Sequence, residues 1–155
     1  MTNAQALEKI VTNHPFLQGM RSEHLKLLAD SAMESSFAAD ELIFREGDPA
    51  NRFYLLQEGR VALEMRGKEH SVIPVQIIGA GDVVGWSWLF PPYYWHFDAR
   101  AVSVTRAIFF YGTRLRERCE EDPCLGYDLM KRMAGVIVAR LRATRHQLVE
   151  AQGLW

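Results

Sequence analysis

The chain has 155 residues, of which 48% are hydrophobic and 24% charged. That is enough to bury a core and is an ordinary balance for a soluble globular domain. A formal net charge of −1 gives no global electrostatic case for nucleic acid or a membrane surface, and no apolar run is long enough to span a bilayer. Cys119 and Cys124 are too few for a disulfide framework or an iron–sulfur cluster, so reduced thiols in a cytoplasmic protein are expected. The first residues carry neither a basic nor an apolar leader pattern. Residues 1–155 therefore read as one domain.

Residues 4–11 carry a short helical pattern, punctuated by His14-Pro15. Ser22 suits the N-cap of a second helix, with Leu25, Leu28, Ala29 and Ala32 on one face. The N-terminal helices thus occupy residues 4–32. From residue 36 to 111 the pattern changes to short apolar runs separated by Gly, Asp and Pro. Leu42-Ile43-Phe44 precedes Glu46-Gly47-Asp48-Pro49, and Phe53-Tyr54-Leu55-Leu56 follows. Glu58-Gly59, before Val61-Ala62-Leu63-Glu64-Met65, is a two-residue hairpin signal. Arg66-Gly67-Lys68 marks a second turn before a run at 72–78. After Gly79 and Gly81-Asp82 come runs at 99–102 and 107–110. The spacing predicts a mainly β fold, a jelly-roll or double-stranded β-helix, with flanking helices.

Residues 113–152 read as helical. A short helix at 114–121 is followed by a long one, with Asp122 at its N-cap and Pro123 at N1. Met130, Ala134, Ile137, Leu141, Thr144 and Leu148 recur at spacings of four and three, a heptad seam that suits a homodimer. Lys131, Arg140 and Arg145 flank the seam without acidic partners, which opposes a parallel pairing modestly. Lys131, Arg132, Arg140, Arg142 and Arg145 make this helix basic, a charge that suits a solvated face or an acidic partner.

Three marks stand in order along the chain: Glu46-Gly47-Asp48, then Tyr54-Leu55-Leu56-Gln57-Glu58-Gly59-Arg60-Val61, then Gly81-Asp82-Val83-Val84-Gly85. With the helix–roll–helix order they resemble the cyclic-nucleotide-binding sensor domain of the catabolite-activator and fumarate–nitrate-regulator superfamily. The resemblance covers residues 16–148. It implies a regulatory domain, not an enzyme, whose ligand is a cyclic nucleotide such as cyclic AMP or cyclic GMP. In those transcription factors a helix-turn-helix follows the long helix. Here the sequence stops at Trp155, so sequence-specific DNA binding through that module is not expected, and the lack of an apolar span and of a strong net charge gives no expectation of membrane attachment.

The resemblance carries a pocket onto Gly85, Trp86, Ser87, Trp88, Leu89, Trp95, His96, Arg100 and Ala101. Gly85 would let backbone approach a phosphate. In the family a glutamate for the ribose follows that glycine, and an arginine for the phosphate comes about ten residues later. This chain has Trp86 at the first place and Trp95 or His96 at the second. Arg100 lies further on, and by alternation from Ala101 it points outward. Ser87 could donate to an anion or satisfy the loop backbone.

The segment 86–97 holds seven aromatic residues in twelve. Either these rings fill the pocket and a different small ligand or none is bound, or they form an exposed contact surface for a partner protein. The orientation of Trp86 and Trp95 separates the two readings. No Gly-x-Ser-x-Gly surrounds Ser87, and His14, His24, His70, His96 and His146 have no metal-ligand spacing. No nucleophile, base and oxyanion set can be assembled.

Overall fold

A computed structural model describes residues 3–153. Helices α1 (Asn3–Asn13) and α2 (Ser22–Ser31) open the chain, joined through a 3-10 turn at Pro15–Leu17. Eight strands follow: β1 (Met33–Phe37), β2 (Leu42–Phe44), β3 (Arg52–Glu58), β4 (Arg60–Arg66), β5 (Val72–Gly79), β6 (Val83–Val84), β7 (Asp98–Ala101) and β8 (Thr105–Tyr111). Helices α3 (Gly112–Glu121) and α4 (Pro123–Ala151) complete the order. No helix among the described residues is long and apolar enough to cross a membrane.

The strands form two antiparallel four-stranded sheets, ordered β1-β8-β3-β6 and β2-β7-β4-β5. This is the expected jelly-roll. The Glu58-Gly59 hairpin is not formed. β3 and β4 lie in different sheets, and Gly59 turns the corner between them at φ +90°. A side chain there would strike the Val104 carbonyl at 2.4 Å. The two-residue turn signal reports a positive-φ glycine but cannot say whether the next strand pairs or crosses. The second signal is a true hairpin, with Arg66 opposite Val72.

Strands β3 and β8 explain their unbroken apolar runs, because the sheet containing them is covered on both faces. On one face Phe53, Leu55, Ile108 and Phe110 pack against the helices through Leu17, Leu28, Leu115, Leu125, Leu129 and Met133. On the other, Tyr54, Leu56, Ala107 and Phe109 fill the roll interior with Val61, Leu63 and Ala99 of the facing sheet. The facing sheet is covered on one side only, and β7 alternates buried Ala99 and Ala101 with half-exposed Asp98 and Arg100.

Helix α2 begins at Ser22 itself, with Arg21 at the cap and no side-chain bond there, one residue before the expected cap. Helix α4 begins as read. Asp122 Oδ1 accepts from the backbone N–H of Cys124 at 3.1 Å and of Leu125 at 3.4 Å, satisfying donors left free at a helix start. α4 buries Leu125, Leu129, Met133 and Arg140. Met130, Ala134, Leu141, Thr144 and Leu148 stay exposed and Ile137 is half-buried. The heptad seam and the roll-facing stripe are therefore different faces of one helix.

Candidate functional site

Strand β6 is two residues long because Gly85, at φ +92°, turns the chain out of the sheet. The loop that follows sends its tryptophans in opposite directions. Trp88 enters the helical core, fully buried, with its ring 5.2 Å from Phe53. Leu89 packs beside it, half-buried. Trp95 enters the roll, 5% exposed, and stacks on Phe44 at 3.7 Å between centroids and 7° between planes.

Trp95 lies directly over Gly85. A Cβ built on Gly85 would sit 2.3 Å and 2.5 Å from two ring carbons of Trp95, and its three nearest atoms all belong to that ring. Backbone bonds fix the ring there. Trp95 N–H donates to the Asp48 carbonyl at 3.0 Å, and Gly47 N–H donates to the Trp95 carbonyl at 2.9 Å. Asp98 adds a carboxylate that accepts from Glu46 N–H at 2.7 Å. The Glu46-Gly47-Asp48 turn is thus the cradle that positions the aromatic loop.

Trp86 is half-buried and stacks on the exposed His96 ring at 4.7 Å and 23°. Ser87 is buried, and its hydroxyl is hydrogen-bonded to His96 Nδ1 at 3.0 Å. The indole N–H groups of Trp86 and Trp88 are buried with no hydrogen-bond partner among the described residues. Each costs about 1–3 kcal/mol, so aromatic packing prevails over polar satisfaction in this loop.

Gly85, Trp86, Ser87, Trp95 and His96 therefore form one cluster. Arg100 stands apart from it, outward as the alternation requires. Its guanidinium grips both oxygens of Glu64 at 3.0 Å and 3.1 Å and reaches Asp40 Oδ1 at 3.1 Å. Ala101 is fully buried on the inward face, opposite Val61.

A cavity of about 250 Å³ at the mouth of the roll is lined by Phe44, Tyr54, Trp95, Asp48, Asn51 and Arg52. That is below the roughly 300–1,000 Å³ usual for small-molecule pockets. Arg52 lies 4.2 Å above the Phe109 ring. Burial pushes the Tyr54 hydroxyl upward in pKa, partly offset by Arg52.

Arg140 is a site residue that the sequence reading left on a helix flank. It is 8% exposed, donates to the Val83 carbonyl at 2.8 Å and to Gln76 Oε1 at 3.2 Å, and leaves Nε without a partner. Burial lowers its pKa, partly offset by the charge of Asp82. It ties α4 to the backbone two residues before Gly85. The signal was present in the spacing of Leu125, Leu129, Met133, Val136 and Arg140, which is the buried stripe of the helix.

A family model for the cyclic nucleotide-binding domain matches residues 34–122. A CRP-like cAMP-activated global transcriptional regulator of Mycobacterium tuberculosis is 23% identical over 144 residues, 93% of this chain and 62% of the relative. A cAMP-dependent protein kinase regulatory subunit of Emericella nidulans is 33% identical over 140 residues, 90% of this chain and 29% of the relative. The chain thus spans less than two thirds of these relatives. A crystal structure from Geobacter metallireducens GS-15, assigned by name to the cyclic nucleotide-binding proteins, superposes with a TM-score of 0.76. It is 32% identical, with 91% of this chain and 99% of that one covered. The regulatory subunit of a cAMP-independent protein kinase A from Trypanosoma brucei, as a triple mutant bound to cAMP, gives a TM-score of 0.69. Its identity is 26%, over 86% of this chain and 49% of that one.

Proposed function

The chain belongs to the cyclic nucleotide-binding domain family, and on that premise we propose that it is a regulatory domain whose nucleotide cassette is occupied by its own side chains. Cyclic AMP and cyclic GMP are then not its signal at cellular concentrations. The observation that supports this is the Trp95 ring stacked over Gly85. An anionic phosphate in a half-buried pocket needs close backbone and a cation, because desolvating an unpaired charge costs several kcal/mol. The space over Gly85 holds an indole, and Arg100 is engaged by Glu64 and Asp40.

The Trypanosoma relative belongs to a kinase that is cAMP-independent by name, and its cAMP-bound mutant carries a threonine-to-arginine change. Loss of nucleotide control within this fold therefore has a parallel. The output element is α4, held to the cassette by Arg140 and offering the exposed seam of Met130, Ala134, Leu141 and Leu148 to a second copy. Exposures of 43% at Met130, 66% at Leu141 and 61% at Leu148 favour a partner over a free solvated face.

Isothermal titration with cyclic AMP and cyclic GMP tests the cassette. The wild type gives no binding heat at millimolar nucleotide, and a Trp86→Glu/Trp95→Arg variant gains binding. Micromolar binding by the wild type would overturn the reading. Sedimentation equilibrium tests the output: a dimer for the wild type and a monomer for Leu141→Glu, against a wild-type monomer if the seam is not an interface.

A further inference from the structure

The cavity at the mouth of the roll lies between the end of β2, the turn at 46–51 and the start of β3. Its apolar wall is Ile43, Phe44, Tyr54 and Trp95. Phe44 and Trp95 stack at 3.7 Å between centroids, which makes that wall a fixed aromatic surface. Its volume of about 250 Å³ suits a ligand smaller than a nucleotide.

Two charged side chains line this cavity, the exposed Asp48 and the half-buried Arg52. Among the described residues neither is in an ion pair, with the other or with a third group. The Asp48 backbone is engaged at both ends, by the Arg45 carbonyl at 3.1 Å and the Trp95 N–H at 3.0 Å, so its position is set while its carboxylate stays free. Arg52 is also held in place. Its guanidinium carbon lies 4.2 Å from the Phe109 ring centre and 5.8 Å from that of Tyr111. Ring faces attract the cation without taking all of its N–H donors. The Tyr54 hydroxyl lies beside Arg52, and burial favours its protonated form, which leaves it able to donate. An anion alone would meet Arg52 and be opposed by Asp48, and a cation alone the reverse. A molecule with both charges on one carbon and an apolar body satisfies every group in the wall.

We propose that the mouth of the roll binds a free α-amino acid with a large apolar side chain. The α-carboxylate takes the planar donor fork of Arg52. The α-ammonium meets the Asp48 carboxylate, and the side chain lies against the Phe44–Trp95 pair. The site rests on the closed cassette of the preceding reading, because Trp95 in its closed position is the wall.

The test is isothermal titration, with tryptophan fluorescence as a second readout, using L-phenylalanine and L-leucine, each beside its des-amino and des-carboxy analogue. The expected result is saturable binding of at least one amino acid below millimolar concentration, with both of its analogues weaker by about tenfold or more. Asp48→Asn weakens the amino acid by a similar factor and erases its advantage over the des-amino analogue. Arg52→Gln does the same relative to the des-carboxy analogue. No saturable binding of either amino acid at millimolar concentration overturns the proposal. So does a des-amino analogue that binds as tightly, which marks a plain anion site, and so does either folded variant that keeps the wild-type affinity. If Arg52→Gln fails to fold, the analogue series on the wild type decides. Cyclic AMP is titrated in parallel. Nucleotide binding by the wild type overturns the closed cassette and this site together, whereas a chain that binds neither nucleotide nor amino acid overturns this site alone.

Discussion

Substituting Gly85 by alanine probes the contact on which the functional reading rests. Two costs add. At φ +92° an L side chain is strained by about 1–2 kcal/mol. The new methyl also falls 2.3 Å from the Trp95 ring, and such overpacking costs about 1–3 kcal/mol. The single variant should therefore lose about 2–5 kcal/mol. Trp95→Ala alone should lose about 3–5 kcal/mol through its cavity. In the Trp95→Ala background only the backbone strain remains, so Gly85→Ala then costs about 1–2 kcal/mol. Urea unfolding of the four proteins gives the coupling directly, and it should be about 1–3 kcal/mol. Effects that add to within about 0.5 kcal/mol would refute the placement of the ring over the glycine.

Other residues give independent checks. His14 Nδ1 accepts from Phe16 N–H at 3.2 Å and its Nε2–H donates to the Leu56 carbonyl at 3.0 Å, which fixes a neutral ring. Burial lowers its pKa below the ordinary histidine value of about 6.5. The unfolded chain then takes up the proton first as pH falls. Stability is full above pH 6.5 and is lost as pH falls from there through the folded value. Melting temperatures of His14→Gln should show a flatter dependence in that window. An equally steep dependence would remove His14 as its source.

Arg140→Ala strands the Val83 carbonyl and should cost about 1–3 kcal/mol. Arg140→Met keeps the stem volume and removes a desolvated charge, so it should cost less; the reverse order in chemical denaturation would contradict the burial argument. Asp122 has a depressed pKa, led by its bond to the Leu125 amide. Its support of α4 is present above the ordinary carboxylate range and fades as pH falls below it. Far-ultraviolet circular dichroism of Asp122→Ala should show earlier melting at neutral pH and no difference from wild type in strong acid.

The architecture was legible wherever a local pattern had one physical meaning. Asp122-Pro123 marked a helix start, and the apolar runs at 53–56 and 107–110 marked strands, although only the structure shows that their sheet is covered on both faces. The Glu58-Gly59 signal misled because pairing across a turn is a tertiary choice, settled here by β8 taking the place beside β3. The same limit governs the cassette. The sequence shows seven rings in twelve residues but not their directions, because the direction of Trp95 depends on its bonds with Gly47 and Asp48, about fifty residues earlier. Arg100 could be assigned outward from alternation alone, since β7 has one solvent face. Arg140 was hidden because charge was read as exposure, although its spacing placed it on the buried stripe.

The most direct measurement is thermal unfolding of the wild type at fixed salt, with and without 1 mM cyclic AMP or cyclic GMP. A ligand at about 100 times its dissociation constant stabilises by about 2.7 kcal/mol, a shift of several degrees at this chain length. With Trp95 closing the cassette, the melting temperature should move by less than about 1 °C with either nucleotide, well under the roughly 2–4 °C that 1 kcal/mol produces. A shift of several degrees with either one would mean that the nucleotide displaces the ring and that the cassette is open to its ligand.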